Sequence, residues 1–169
     1  CGVTTATDLF ATFNDTSLAA YRDASQLPDY ALRLMPALNT IDQSAEEGIA
    51  LAKRALADNN DRLHHRLCKV MTDGSIQGFT ARLKWPGYHN GRPNGLWNMD
   101  PEALAGLIMD YHKAGLHLHI HTNGDEASDL MLDAIEAAQL AYPRPDHRHT
   151  LQHCQMADAS QFRRMAKLG

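Results

Sequence analysis

Stretches with apolar residues at every second position alternate along this chain with stretches whose apolar residues recur at helical spacing. The clearest strand lies in Gly115-Leu116-His117-Leu118-His119-Ile120-His121-Thr122, where polar and apolar residues alternate from His117 to Thr122. His117, His119 and His121 then share one face, and Leu118 and Ile120 the other. Residues 3–9, 30–38, 67–73 and 148–154 read as further strands, with Pro36 expected to end the second one early. Helices are predicted over residues 15–24, 44–58, 100–114, 126–142 and 160–168. Ser44 stands three residues before Glu47, a capping-box pattern. Asp100 and Pro101 supply a cap and a proline at the first helical position, and Gly115 supplies a stop.

The result is five consecutive β-then-α units. Sequential parallel strands joined by helical crossovers build either a doubly wound sheet or a (β/α) barrel. No Gly-x-Gly-x-x-Gly follows the first strand and no phosphate loop occurs, which favours the barrel. The predicted class is therefore α/β, a partial (β/α)8 TIM-type barrel covering about strands two to six. The whole of residues 1–169 is read as one incomplete barrel domain. Five units are too few to close eight strands, so about three are expected outside the chain. An opening on Cys1 rather than Met agrees with an internal piece of a longer protein. Residues 74–98 form a long connection carrying Trp85, Tyr88, His89 and Trp97, on the side where strands end. Its aromatic content predicts a loop that covers substrate.

Composition narrows the partners. A net charge of -4, with 16 basic residues that form no run, points away from nucleic acid and anionic membranes. No apolar stretch reaches the ~18 residues of a membrane span, and no signal peptide is visible. A cytoplasmic location is expected, and the oligomeric state is left open. Cys1, Cys68 and Cys154 are too few and too scattered for a disulfide framework or a cysteine-based zinc site.

The candidate chemistry sits at strand ends. His121 falls at the C-terminal end of its strand, the edge where α/β proteins bind ligands and metals. His117 and His119, deeper in the strand, are open to two readings, as ligands or as core histidines held by neighbouring carbonyls. Strand parity in residues 67–73 places Lys69, Met71 and Asp73 on one face. A buried lysine is costly unless paired or neutral. Desolvation lowers its pKa and makes it reactive toward CO2, whereas a salt bridge to a neighbouring carboxylate is the plainer alternative. His153 ends the last strand. Histidines at the ends of adjacent parallel strands stand roughly 5 Å apart at the backbone and can converge on one ion such as Zn²⁺. Asp146, His147 and His149 read as loop or opposite-edge residues, and His64-His65 as a solvated turn.

Lys69-Val70-Met71-Thr72-Asp73-Gly74-Ser75, His121-Thr122-Asn123-Gly124-Asp125 and Leu151-Gln152-His153-Cys154-Gln155 resemble, in order, the K-x-x-x-D-G-S, H-x-x-G-D and I-E-H-A-Q blocks of amidohydrolase family 3. Gly2-Val3-Thr4-Thr5-Ala6-Thr7-Asp8 resembles its G-x-T-T-x-x-D block. The resemblance implies a metal-dependent hydrolase of the amidohydrolase superfamily holding one or two divalent ions, zinc foremost. It makes Lys69 the strand-four lysine that can be carboxylated, and His121 and His153 the ligands of strands five and six. The expected reaction is hydrolysis of a carbon–nitrogen bond in a small amide or cyclic amide by metal-activated water. Asp73, Ser75 and Gln77 at the bend, with Trp85, are expected to face substrate. Asp125 starts a helix and is equally well read as its N-cap. The sequence departs from the family pattern in two ways. Gln152 replaces the usual Glu, and the first-strand H-x-H and eighth-strand Asp, the general base, have no counterpart. The chain alone is therefore expected to have little activity. Phosphoester or lactone hydrolysis on the same barrel, or an inert metal-binding piece, are the competing readings.

Overall fold

Capping chemistry sets most element boundaries in the computed structural model, which describes residues 2–169; Cys1 lies outside the described residues. The elements are β1 (Thr5–Ala11), α1 (Asp15–Ser25), β2 (Arg33–Asn39), α2 (Ala45–Ala55), β3 (Leu67–Met71), α3 (Pro101–Lys113), β4 (His117–Thr122), α4 (Asp125–Ala141), β5 (Thr150–His153) and α5 (Ala159–Leu168). A 3-10 turn, Leu56–Asp58, extends α2. Ser44 and Glu47 form the predicted capping box of α2, and Asn14 with Ser17 and Asp158 with Gln161 do the same for α1 and α5. Asp100 caps α3 with Pro101 behind it, and Gly115 follows at φ +84. At α4, Asp125 starts the helix as read but is not its N-cap. Gly124 is the N-cap and makes no side-chain bond, while Asp125 is the first helical residue.

The strands run in the order β1-β2-β3-β4-β5, with parallel pairing of β1 to β2, β2 to β3 and β4 to β5. Each strand is followed by a helix, the architecture of a partial (β/α)8 barrel. Pro36 does not end β2, which continues to Asn39. It pairs with Asp8 next to a register shift in β1, and pairing to β3 begins only at Ala37. A missing N–H is tolerated at such an irregularity.

The chain divides into two compact units, residues up to Lys69 and residues 70–169, with the division inside β3. In the first, Leu38, Ala52, Leu63 and Leu67 are buried. His65 is not in a solvated turn: it is fully buried, edge-on to Phe13 at 5.1 Å between ring centroids. Among the described residues neither of its ring nitrogens has a hydrogen-bond partner, and burial lowers its pKa. In the second, Leu104, Ile108, Leu118, Ile120, Met131 and Leu132 are the buried centre. Leu118 and Ile120 alternate with His117, His119 and His121, so the period-2 pattern correctly separates the apolar and polar faces of β4.

Candidate metal centre at the C-terminal edge of β4 and β5

Two backbone bonds shape this edge. Thr72 N–H donates to His121 C=O, and Cys154 N–H donates to Thr122 C=O, so the chain after β3 and after β5 is tied to the end of β4. The β4–β5 register pairs His121 with Gln152 and Thr122 with His153. The rings of His121 and His153 then meet edge-on, centroids 4.8 Å apart. His153 and Cys154 both adopt left-handed backbone conformations, φ +71 and +46. Non-glycine residues there cost about 1–3 kcal/mol each and persist where the surroundings over-determine them, commonly at functional sites.

His121 is buried, and its Nε2 lies 2.8 Å from the carbonyl oxygen of Gly74. A carbonyl can only accept, so Nε2 carries a proton, and in the neutral ring Nδ1 carries the lone pair. Asn123 Nδ2 donates to the same Gly74 oxygen at 2.8 Å. The Nδ1 of His119 meets the Gln152 side-chain amide at 3.0 Å. Gln152, the residue that departs from the family pattern, is thus a neighbour of this second histidine.

Asp73 is not on the surface of the site. It is fully buried, and its carboxylate accepts from the backbone N–H groups of Asn123 (3.0 Å), Gly124 (2.9 Å) and Arg82 (3.0 Å). His121 Nε2 stands 3.5 Å from Asp73 Oδ1. With both oxygens engaged by main chain, Asp73 binds the long loop to the β4–α4 turn. Ser75 is also part of the loop's own framework, its Oγ accepting from Gly78 N–H and its N–H donating to Thr80 Oγ1. Gln77 is exposed, and Trp85 is 95% exposed.

The loop's base is fastened to α4. Arg82 makes a two-pronged bond to Glu126, both at 3.0 Å, and its guanidinium lies over the Trp97 ring. Lys84 N–H donates to Asp125 Oδ1, and the Lys84 ammonium pairs with Asp129. The approach is close: a Cβ added to Gly124 would stand 1.7 Å from the Arg82 carbonyl oxygen, and one on Gly95 2.0 Å from that of Ala81. These bonds place the base of the loop on the same sheet edge as His121.

Lys69 belongs to the first unit, in register with Asn39 and only 4% exposed. Desolvation lowers its pKa to about 8. Among the described residues no three His, Cys, Asp or Glu side chains are gathered to hold an ion. The His121–His153 pair is therefore a partial set. Its chemistry, one imidazole with a fixed outer N–H beside a second imidazole, suits zinc and similar metals.

Histidines crowd the opposite edge too. Leu118 N–H donates to His149 Nδ1 at 3.1 Å, so His149 carries its proton on Nε2, which meets His112 Nδ1 at 2.8 Å. His112 Nε2 in turn donates to the Tyr142 carbonyl at 2.7 Å. His147 Nδ1 accepts from His149 N–H at 2.9 Å, and its Nε2 donates to the Leu168 carbonyl at 2.8 Å. All three rings are neutral with fixed tautomers. Burial, then the neighbouring imidazoles of His147 and His112, push the pKa of His149 down to about 2; burial also lowers that of His112.

Parallel strands each followed by a helix define a partial (β/α)8 barrel, with an imidazole pair where two neighbouring strands end. The chain belongs to the amidohydrolase family, whose model matches residues 2–169. It is 34% identical over 101 residues to the putative amidohydrolase YtcJ of Bacillus subtilis, covering 59% of this chain and 18% of that protein. It is 38% identical over 88 residues to the protein LONG AFTER FAR-RED 3 of Arabidopsis thaliana, covering 52% of this chain and 15% of that protein. The matched stretches thus span under a fifth of these relatives. Among solved structures, uncharacterized metal-dependent hydrolases from Pyrococcus furiosus and Pyrococcus horikoshii share the fold. Their TM-scores are 0.70 and 0.69 at 20% identity, covering 97% of this chain and 32% and 31% of theirs.

Sequence reasoning singled out His121 and His153 but passed over Asn123 and the Gly74 carbonyl. Both lie inside the blocks that carry the family resemblance, next to residues that were singled out. That adjacency was the available signal.

Proposed function

We propose that the whole protein is a metal-dependent hydrolase of small molecules, cleaving a carbon–nitrogen bond in a non-peptide amide or cyclic amide. Lys69, His121 and His153 are the proposed ligands of one or two divalent ions, with zinc first among them. The observation that carries this reading is the His121–His153 pair, 4.8 Å between ring centroids at the ends of adjacent parallel strands. The buried lysine with a lowered pKa supports it, since a neutral amine is the form that binds CO2 to become a carbamate ligand. When bound, the metal would acidify a water and polarise the scissile carbonyl.

The chain's own residues have distinct proposed tasks. His121 presents Nδ1 while Gly74 holds its Nε2 proton, and Asp73 fixes the turn beneath it. Gln77 and Trp85 face solvent and are the proposed substrate contacts, with Ser75 shaping the bend that carries Gln77. The general base lies outside these residues. No helix among the described residues is long and apolar enough to cross a membrane, in keeping with a dissolved substrate.

The test uses the full-length protein, loaded with zinc, on matched panels of cyclic amides, acyclic amides, lactones and phosphoesters. Preferential turnover of the amides supports the reading. Preferential turnover of phosphoesters or lactones would keep the site and replace the reaction, and wild-type metal content in Lys69→Ala would remove Lys69 from the ligand set.

A further inference from the structure

Asn123 is held at three points. Its backbone N–H donates to Asp73 Oδ1 at 3.0 Å, its carbonyl accepts from Met156 N–H at 3.0 Å, and its Nδ2 donates to Gly74 O at 2.8 Å. The Gly74 oxygen also accepts His121 Nε2 at 2.8 Å, so two donors stand side by side on one acceptor, 3.2 Å apart. Turning the Asn123 amide over would set its oxygen against the Gly74 oxygen, two acceptors face to face. The amide orientation is therefore fixed by Gly74. Among the described residues its buried Oδ1 has no hydrogen-bond partner, in a residue only 5% exposed. Buried amide oxygens are normally satisfied, and leaving one unmade is unfavourable. The fold keeps Asn123 here against that cost.

We infer that Asn123 is a positioning residue for His121, an assignment that rests on the reading of His121 as a metal ligand. Its amide lies against the Nε2 side of the imidazole and shares the acceptor that holds the Nε2 proton. A ring turned by half a rotation about Cβ–Cγ would put a carbon where Nε2 is and lose the bond to Gly74. The ring is thereby kept in one orientation and one tautomer, with the Nδ1 lone pair available. Outer partners of this kind orient metal-binding histidines, and their removal commonly weakens metal binding about 10–100-fold.

The test compares wild type, Asn123→Ala, Asn123→Ser and His121→Ala in the full-length protein. Zinc affinity is read by chelator competition, coordination by the visible spectrum of the cobalt-substituted protein, and folding by urea titration of the metal-free form. Asn123→Ala and Asn123→Ser should bind zinc about 10–100-fold more weakly, with an altered cobalt spectrum and a nearly unchanged urea midpoint. Zinc affinity within about twofold of wild type and an unchanged cobalt spectrum in both would overturn the proposal. So would loss of folding in both, which would make Asn123 simply structural. Wild-type zinc content in His121→Ala would sink the ligand reading itself, a separate outcome from failure at Asn123.

Discussion

Histidines gather at both ends of β4 and β5, and the bonds they make differ. At the N-terminal edge, His112, His147 and His149 run in a closed series from the Leu118 N–H to the Tyr142 and Leu168 carbonyls, every ring nitrogen accounted for. At the C-terminal edge, among the described residues, His121 has only Nε2 committed, to the Gly74 carbonyl, and its ring meets that of His153 edge-on. The same side chain is thus a structural linker at one edge and a candidate ligand at the other. The difference lies in whether the surrounding backbone uses up both nitrogens. Barrels conform to this division, with stability at the N-terminal face and chemistry at the C-terminal face.

The sharpest way to break the comparison is to exchange consequences. In the full-length protein, His121→Ala should lower kcat/KM by at least about a hundredfold, more than loss of an outer partner usually costs, and should strip bound zinc. The urea midpoint of the metal-free form should barely move. His149→Ala should do the reverse, keeping zinc stoichiometry and destabilising the fold by about 2–3 kcal/mol in urea titrations. It leaves the Leu118 N–H and His112 Nδ1 buried without partners. If His149→Ala also released zinc, the two edges would not be independent.

Acid sharpens the contrast further. The folded-state pKa of His149, about 2, lies below the ~6.5 of an unfolded histidine. The unfolded chain therefore takes the proton first as pH falls. The contribution of His149 is complete above about pH 6.5 and is lost progressively below it, at up to about 1.4 kcal/mol per pH unit. His112, lowered in the same direction, adds to the slope, while Arg144, His117 and His147 are the charged or titratable groups around the pair. Urea midpoints measured between pH 7.5 and 4.5 should fall, and His149→Gln should flatten the fall. A pH-independent midpoint would show that the N-terminal edge opens without cost.

The smallest effect belongs to neither edge. Trp85 is 95% exposed, so Trp85→Ala should change stability by no more than about 0.5 kcal/mol. If the ring contacts substrate, KM should rise with kcat held. A loss of kcat alone would instead tie the loop to the reacting groups.

Much of this was legible in the sequence because local rules decided it. The Ser44–Glu47 box, the Asp100-Pro101 start, the Gly115 stop and the alternation of β4 all depend on neighbours within a few residues. The positions of His121 and His153 at strand ends followed from the same alternation. What escaped the sequence depends on distant partners. Asp73 reads as a site carboxylate until Asn123 and Gly124, fifty residues away, place their N–H groups on it. His112 meets His149 across 37 residues, and no periodicity announces that contact. Pro36 was read by a local rule that the register shift beside it overrides. His65 looked polar enough for a turn, yet Phe13 and Tyr21 enclose it.

The close contacts at Gly95 and Gly124 decide where the long loop can vary. Any side chain at either glycine would drive into a neighbouring carbonyl, so the C-terminal part of the long loop and the β4–α4 turn it rests on are barred from most substitutions. At the loop's tip Trp85, Pro86, His89 and Asn90 are exposed, while Gly87 and Gly91, at φ +75 and +74, have open space but a backbone conformation that strains any side chain. Heritable variation, or a mutagenesis library, is thus channelled into Trp85, Pro86, His89 and Asn90. That tip can be rewritten while its anchorage on α4, and the histidine pair beneath, stay as they are.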